Sequence, residues 1–121
     1  YEPLPKGSIR LLSLHPRCEP DDPIQCSLKI HQFDDSSLLS YVALSYVWGP
    51  TLPAFEIVVG GRNISVRKNL YDFLLQKTGN ELLWIDALCI DQQNDQERNH
   101  QVERMGEIYK RADRVIAWLG L

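Results

Sequence analysis

The sequence predicts an α/β domain with a mostly parallel sheet and flanking helices. Short apolar runs of strand length alternate with helical patterns in the second half of the chain, as in strand-helix-strand units joined by right-handed crossovers. The length of 121 residues fits one domain that can bury a core. Residues 82–101 combine a short apolar run, an acidic segment and a helix start. Ligand sites of α/β sheets lie at such strand ends.

In the N-terminal half, the patterns predict strands at 8–14, 26–33 and 41–46 and a hairpin at 56–66. Prolines and an acidic pair separate the first two strands, which marks a surface loop. The third strand is aromatic and β-branched, so we expect it to be central and buried on both faces. Gly60 and Gly61 supply the positive φ of a tight hairpin. We expect the hairpin and the first strands to be additions at one edge of the sheet.

In the C-terminal half, we expect a helix at 69–77, a buried strand at 82–85, a helix at 96–112 and a strand at 114–120. Leu70, Phe73 and Leu74 recur at helical spacing, and Gly79 is a natural helix stop. Asn94 and Glu97 have the spacing of a capping box at the start of the second helix. The predicted apolar stripe of that helix consists of Val102, Met105, Ile108, Tyr109 and Ala112.

Composition and charge restrict the class of function. A formal net charge of −3 gives no electrostatic reason to expect nucleic acid as a partner. No apolar run approaches the roughly 20 residues of a membrane span. The three cysteines lack CxxC spacing, so we expect free thiols in a reducing, cytoplasmic compartment, with Cys89 a buried structural thiol. There is no metal-ligand spacing. Because the first residue is Tyr1, we expect other domains of a longer protein as partners.

Three separated segments now become recognisable together. Residues 41–49 (YVALSYVWG), residues 83–92 (LWIDALCIDQ) and the blocks between 97 and 120 resemble, in this order, the fungal heterokaryon incompatibility (HET) domain. The resemblance implies a domain core at 41–121, preceded by a β lead-in at 1–40 that packs on it. It implies a role in fungal non-self recognition that triggers programmed cell death.

The chain departs from the family pattern in two places. Arg67 stands where a Thr usually caps the following helix, so Ser65 or Asn69 is expected to cap it instead. The family's domain usually continues past the last strand, which implies that its C-terminal part lies beyond Leu121.

The family is regarded as distantly similar to TIR domains, which are flavodoxin-like modules that assemble and in some members cleave NAD. This likeness implies a flavodoxin/TIR-like sheet, self-association, and NAD as a substrate with no cofactor required. The carboxylate that TIR NADases use lies on a helix after the strand equivalent to residues 115–119. The likeliest catalytic acid is therefore expected beyond Leu121.

The predicted ligand-binding residues are Ser45, Tyr46, Trp48, Gly49, Asp86, Asp91, Gln92 and Arg98. Asp86 and Asp91 are the catalytic candidates in view, because splitting a nicotinamide–ribose bond passes through an oxocarbenium-like transition state that needs a carboxylate. Both carboxylates also have a structural interpretation, as caps of the loop and of its helix.

Two further candidates have competing interpretations. Trp48 either stacks on a ligand ring or covers the core. Arg98 either binds a phosphate near a helix N-terminus or forms an ion pair with Glu97, Asp95 or Asp91. At the level of the whole domain, an NAD-cleaving enzyme, a non-catalytic signalling module and a nucleotide sensor are all compatible with the sequence.

Overall fold

The computed structural model describes residues 1–120, which form one seven-stranded sheet with helices beside it. The elements are β1 (Ser8–Leu14), β2 (Gln25–Gln32), β3 (Val42–Tyr46), β4 (Ala54–Val59), β5 (Arg62–Arg67), α1 (Lys68–Gln76), β6 (Leu83–Ile85), α2 (Asp86–Cys89), α3 (Asp95–Arg111) and β7 (Arg114–Trp118). The sheet order is β5-β4-β2-β1-β6-β3-β7. The predicted α/β class is confirmed, and Leu121 lies outside the described residues.

The sheet is mixed, so the prediction of a mostly parallel sheet is wrong. β3 pairs in parallel with β6 and β7, which forms the expected parallel unit. β1 runs antiparallel to both β2 and β6, and β4 runs antiparallel to β5. β2 also pairs in parallel with β4, so three of the six strand pairings are parallel and three are antiparallel. β1 runs against both of its neighbours, and the parallel neighbours β3 and β6 bring their carboxyl ends to the same edge.

The first strand is central, which corrects the expectation that it is an addition at the edge. β1 lies between β2 and β6, and Ile9, Leu11 and Leu12 are fully buried. Its apolar residues point to both faces, and only an interior position covers both. The hairpin β4–β5 does lie at one edge, with Gly60 and Gly61 at φ values of 58° and 81°. The domain boundary at residue 40 stays a prediction.

The parallel unit has the expected buried centre. Val42, Ala43 and Leu44 of β3 are at most 1% exposed, as predicted for a central strand. β3 lies between β6 and β7 in the sheet, so its backbone is paired on both sides.

Helix α1 begins without a side-chain cap, so the expectation that Ser65 or Asn69 caps it is wrong. Arg67 occupies the N-cap position, and no side chain accepts a hydrogen bond from the first turn. The Arg67 and Asn69 side chains instead bond backbone carbonyls of the segment after β3. The helix still buries Leu70, Phe73 and Leu74, as predicted, and this packing stabilises it.

Helix α3 buries a partly polar face, which differs from the predicted apolar stripe. Its buried residues are Glu97, Gln101 and Ile108, whereas Val102 is 54% exposed. Asn94 caps the helix by accepting a hydrogen bond from the Glu97 amide at 3.1 Å. The Glu97 carboxylate does not complete the capping box, because it pairs with Arg10 of β1. That pairing fixes which face of α3 lies against the sheet.

No helix within residues 1–120 has both the length and the apolar character needed to cross a bilayer.

Candidate functional site

The carboxyl ends of β3 and β6 meet at one edge of the sheet and border a small cleft. Leu44 of β3 is paired with Ile85, the last residue of β6, so the chain leaves both strands side by side. The cleft has a volume of about 170 Å³. Its lining consists of Tyr46, Trp48, Ile64, Ser65, Val66, Arg67, Leu70, Ala87, Leu88 and Gln92. Residues from three separate parts of the chain therefore form its walls.

The predicted site residues divide into two groups in the structure. Tyr46, Trp48 and Gln92 line the cleft, and the Gln92 side chain donates a hydrogen bond to the Asp86 backbone carbonyl at 2.8 Å. Asp86 is thereby held against the same edge. Ser45 is exposed on β3, next to this group. The other predicted residues belong to the surrounding framework.

Asp86 is a half-buried carboxyl with a perturbed pKa. Burial raises its pKa above the ordinary range, and hydrogen bonds from the backbone amides of Ala87 and of Asp86 itself offset this only in part. Burial and the charge of Asp86 together raise the pKa of Tyr46, against the opposing charge of Arg67. Burial and Asp86 also raise the pKa of Tyr109. A desolvated carboxyl among tyrosine hydroxyls is an arrangement typical of functional sites.

Trp48 presents an accessible aromatic ring next to Tyr46 in the wall of the cleft. It is 38% exposed, and its ring is within 14° of parallel to the Tyr46 ring at a centroid distance of 6.2 Å. The Arg67 guanidinium carbon lies 4.9 Å from the Trp48 ring centroid, which is a cation–π contact. Arg67 also donates a hydrogen bond to the Gly49 carbonyl at 2.9 Å. The segment after β3 is therefore held from the start of α1.

Asn69 fastens two strand ends together, a role that sequence reasoning missed. Its side-chain amide donates a hydrogen bond to the Val47 backbone carbonyl at 2.7 Å. Its backbone carbonyl accepts a hydrogen bond from the Trp118 indole at 3.0 Å. A Cβ on Gly49, whose φ is +73°, would lie 2.9 Å from the Asn69 amide nitrogen. These partners are 22 and 49 residues from Asn69 in sequence, so no local pattern signals the contact.

A buried ion pair supports the segment that follows α2. Arg10 of β1 binds the Glu97 carboxylate through both terminal nitrogens, at 2.7 and 2.8 Å, and also donates to the Cys89 carbonyl at 3.2 Å. Glu97 in turn accepts the Asp91 backbone amide at 2.6 Å. In the sequence, the only sign of this pair is Arg10, a charged residue inside the apolar run at 8–14.

Asp91 and Arg98 have structural partners in this same segment. The Asp91 carboxylate accepts the Gln93 backbone amide at 3.1 Å, which is the turn-capping alternative. Arg98 forms an ion pair with Asp95 at 2.9 Å and donates to the Gln92 carbonyl at 2.9 Å. Arg98 therefore shapes the wall of the cleft through the backbone of Gln92.

Cys89 is a structural thiol, as expected. It is fully buried, and burial raises its pKa to about 12, so the nucleophilic thiolate is not formed at neutral pH. Its sulfur accepts the Ile85 amide at 3.4 Å. In the part of the chain that the structure describes, no three His, Cys, Asp or Glu side chains are grouped so as to hold a metal ion.

A larger groove of about 630 Å³ lies elsewhere, beside β2 and the β4–β5 hairpin. Its lining includes Tyr1, Arg10, Leu28 and Ile64. The buried cation in its wall, Arg10, is already neutralised by Glu97. The smaller cleft is the better candidate site because it combines an accessible aromatic ring, a desolvated carboxyl nearby and the carboxyl ends of parallel strands.

Comparison with known proteins now adds to this geometry. The family described as Heterokaryon incompatibility protein (HET) matches residues 41–121. A Neurospora crassa protein named Heterokaryon incompatibility protein 6, OR allele, is 37% identical over 133 aligned positions, which cover 96% of this chain. The chain spans 19% of the length of that relative. No solved structure gives a significant match. By its family match and its identity to this relative, the chain belongs to the heterokaryon incompatibility (HET) family.

Proposed function

We propose that this domain acts in fungal heterokaryon incompatibility, where it triggers programmed cell death after non-self recognition by cleaving NAD. Family membership and the name of the Neurospora relative support the incompatibility role. The observation that carries the chemical part is the half-buried Asp86, whose pKa is raised by burial, close enough to Tyr46 for its charge to raise the tyrosine pKa. Tyr46 and the accessible Trp48 line the adjoining cleft. NAD is the substrate in this proposal, and no cofactor is required.

The chemistry suits these residue types. Hydrolysis breaks the bond between nicotinamide and ribose, water adds to the ribose carbon, and nicotinamide, ADP-ribose and a proton leave. The ribose carbon becomes cationic in the transition state, and an ionised carboxylate stabilises that charge more strongly where water is excluded. Asp86 has this environment. In this proposal the Gln92 side-chain oxygen accepts a hydrogen bond from a ribose hydroxyl, and the Trp48 ring contacts the nicotinamide.

The size of the cleft limits how NAD sits there. A volume of about 170 Å³ is below the roughly 300 Å³ at which pockets for drug-sized ligands begin. One base with its ribose fills such a cleft, and the rest of the dinucleotide lies outside it. The likeness to TIR domains is part of the proposal. The parallel unit β6-β3-β7, with its site at the carboxyl ends, supports that likeness.

The direct test incubates the full-length protein with NAD and measures free nicotinamide by chromatography. Asp86→Asn keeps the shape of the side chain and removes its charge, so we expect NAD cleavage to fall about 100- to 1000-fold. Asp21→Asn makes the same change at an exposed site in the loop after β1, and its activity should match the unaltered protein. Absence of nicotinamide release at high protein concentration would refute the enzyme proposal. Full activity of Asp86→Asn would remove Asp86 from it.

A second candidate function is a non-catalytic signalling module that self-associates. The observation that favours it is the apolar edge at β7, where Val115 is 47% exposed and the following Leu119 is 80% exposed. An unpaired apolar edge strand is a template for a strand from another molecule. Light scattering of the full-length protein would then reveal concentration-dependent assembly, and Val115→Lys should abolish both assembly and cell killing. Cell killing by a strictly monomeric protein would refute this alternative.

A further inference from the structure

We infer that Arg67 binds the phosphate of a nucleoside monophosphate unit whose base lies against Trp48 in the cleft of about 170 Å³. The inference rests on the proposed function, since a dinucleotide substrate contains two such units. It adds the ligand class and the residue that selects it. Arg67 was not among the binding residues predicted from the sequence.

The position of Arg67 places its guanidinium between the cleft and the segment after β3. The residue ends β5, lines the cleft and is half-buried. One terminal nitrogen donates to the Gly49 carbonyl at 2.9 Å, and the guanidinium carbon lies 4.9 Å from the Trp48 ring centroid. The group is thus held in one orientation by two contacts, which reduces the entropy lost when a ligand binds.

Within residues 1–120, no Asp or Glu forms an ion pair with Arg67, whereas ion pairs are present at Arg10, Arg98, Arg111 and Arg114. Among the same residues, a single N–H group of Arg67 is bonded, to the Gly49 carbonyl, and its other N–H groups are available to a ligand. A partly desolvated guanidinium without a carboxylate favours an anion, and its planar fork matches two phosphate oxygens.

The rings beside Arg67 define the rest of the ligand. Trp48 is 38% exposed and lies within 14° of parallel to Tyr46. Tyr46 and the Arg67 guanidinium cover part of the Trp48 ring, and the exposed part can contact a flat base. Contacts between a base and an aromatic ring tolerate different bases. A cation and a stacking ring at 4.9 Å from each other suit a ligand that carries both a ring and a phosphate. One base with its ribose fills the cleft, so the phosphate of the bound unit lies at its rim beside Arg67, and the second half of a dinucleotide lies outside.

The local sequence at Arg67 supports a binding role. Arg67 is the N-cap of α1, with φ −75° and ψ 158°, where Ser, Thr, Asp or Asn would cap the helix. An arginine there leaves the first turn without a side-chain cap. Positions that break a local rule of stability are often functional positions, although Arg67 also holds the segment after β3 through Gly49 and Trp48.

The experiment measures binding of AMP and of nicotinamide mononucleotide to the full-length protein by isothermal titration calorimetry, each beside its nucleoside. AMP and nicotinamide mononucleotide are the two halves of NAD. For the half that binds, we expect the monophosphate to bind at least about tenfold more tightly than its nucleoside. Arg67→Gln should remove this preference and leave the nucleoside affinity unchanged. Arg67→Lys should retain part of it, because the charge remains without the fork.

The control variant is Arg62→Gln, which removes the same charge from the opposite end of β5 and does not line the cleft. It should bind as the unaltered protein does. Failure of both monophosphates to bind at millimolar concentration overturns the inference, as does an unchanged preference in Arg67→Gln. If Arg67→Gln does not fold, the affinities of Arg67→Lys for monophosphate and nucleoside provide the test. An unaltered preference for the monophosphate in Arg67→Lys would contradict the bidentate contact.

The outcomes separate the inference from the proposed function. Monophosphate binding that depends on Arg67, in a protein that does not cleave NAD, supports the inference and refutes NAD cleavage. If the protein cleaves NAD and Arg67→Gln leaves the KM for NAD unchanged, the proposed function is supported and the inference about Arg67 is refuted.

Discussion

Removing Glu97 is expected to destabilise this domain more than removing any surface charge. The Arg10 and Glu97 side chains are 3% and 7% exposed, and two hydrogen bonds of 2.7 and 2.8 Å join them. In Glu97→Ala the guanidinium stays buried, with only the Cys89 and Glu2 carbonyls as acceptors. Breaking one half of a buried pair costs about 3–5 kcal/mol. Because domains are stable by about 5–15 kcal/mol, this loss is a large fraction of the free energy of unfolding, and it brings a domain at the lower end of that range close to unfolding.

A double-mutant cycle tests whether the cost arises from the pair. The cycle compares Glu97→Leu, Arg10→Met and the double variant that carries both substitutions. The double variant has no uncompensated buried charge, so we expect it to recover most of the stability that Glu97→Leu loses. Urea denaturation followed by circular dichroism gives each free energy of unfolding. The control is Glu107→Ala, which breaks an exposed pair with Arg111 and should cost about 0.5 kcal/mol. A double variant as unstable as the sum of the single variants would refute the coupling.

The pH dependence of stability provides an independent check of the same pair. Burial alone would raise the pKa of Glu97, but hydrogen bonds from Arg10 and the Asp91 amide, together with the Arg10 charge, hold it below its usual range. The folded state therefore binds this proton more weakly than the unfolded state. The stabilisation is complete above the unfolded pKa of about 4.3 and is lost as pH falls below it. This loss should be smaller in the double variant than in the unaltered protein.

Three other variants separate structural from functional roles. Burial raises the pKa of Asp86, so its ionised form lowers the stability of the folded state above a pH of about 4. We therefore expect Asp86→Asn to be at least as stable as the unaltered protein in urea denaturation at pH 7. A loss above about 1 kcal/mol would show that Asp86 has a structural role. In Gly49→Ala the new Cβ lies at a residue with φ +73° and 2.9 Å from the side-chain amide nitrogen of Asn69, whereas in Gly60→Ala the φ is +58° and no atom lies within 4 Å. Gly49→Ala should therefore lower the free energy of unfolding more than Gly60→Ala. Equal melting temperatures of the two variants would contradict this. Arg67→Thr supplies an N-cap and loses the Gly49 bond and the Trp48 contact, so calorimetry should find its stability within about 1 kcal/mol of the original.

The elements were predictable because local chemistry governs them. Helical spacing marked α1, glycines marked the β4–β5 turn, and Asn94 marked the start of α3. The short helix α2 was missed, because four residues after a strand carry no measurable periodicity. The apolar stripe of α3 was only partly right, because a buried Glu97 has no place in a pattern of apolar spacing.

The candidate site was predictable in part, and the division follows the same logic. Tyr46 ends β3, Trp48 follows that strand, and Gln92 comes after β6 and α2. Both strands are predictable from the sequence, so the edge on which these residues meet could be predicted. Arg67 and Asn69 reach that edge from the far end of the β4–β5 hairpin. The local sequence around these two residues does not predict their contacts with the segment after β3.

The sequence by itself determined the α/β class, the strand and helix boundaries within a few residues, and the family signature at 41–49 and 83–92. Only the tertiary structure decided that β1 lies in the centre of a mixed sheet and that Arg10 is neutralised by Glu97, 87 residues away. The physical reason is range. Backbone propensity and periodicity act over a few residues, whereas strand order, buried charge and the walls of a cleft depend on which distant segments exclude water from one another.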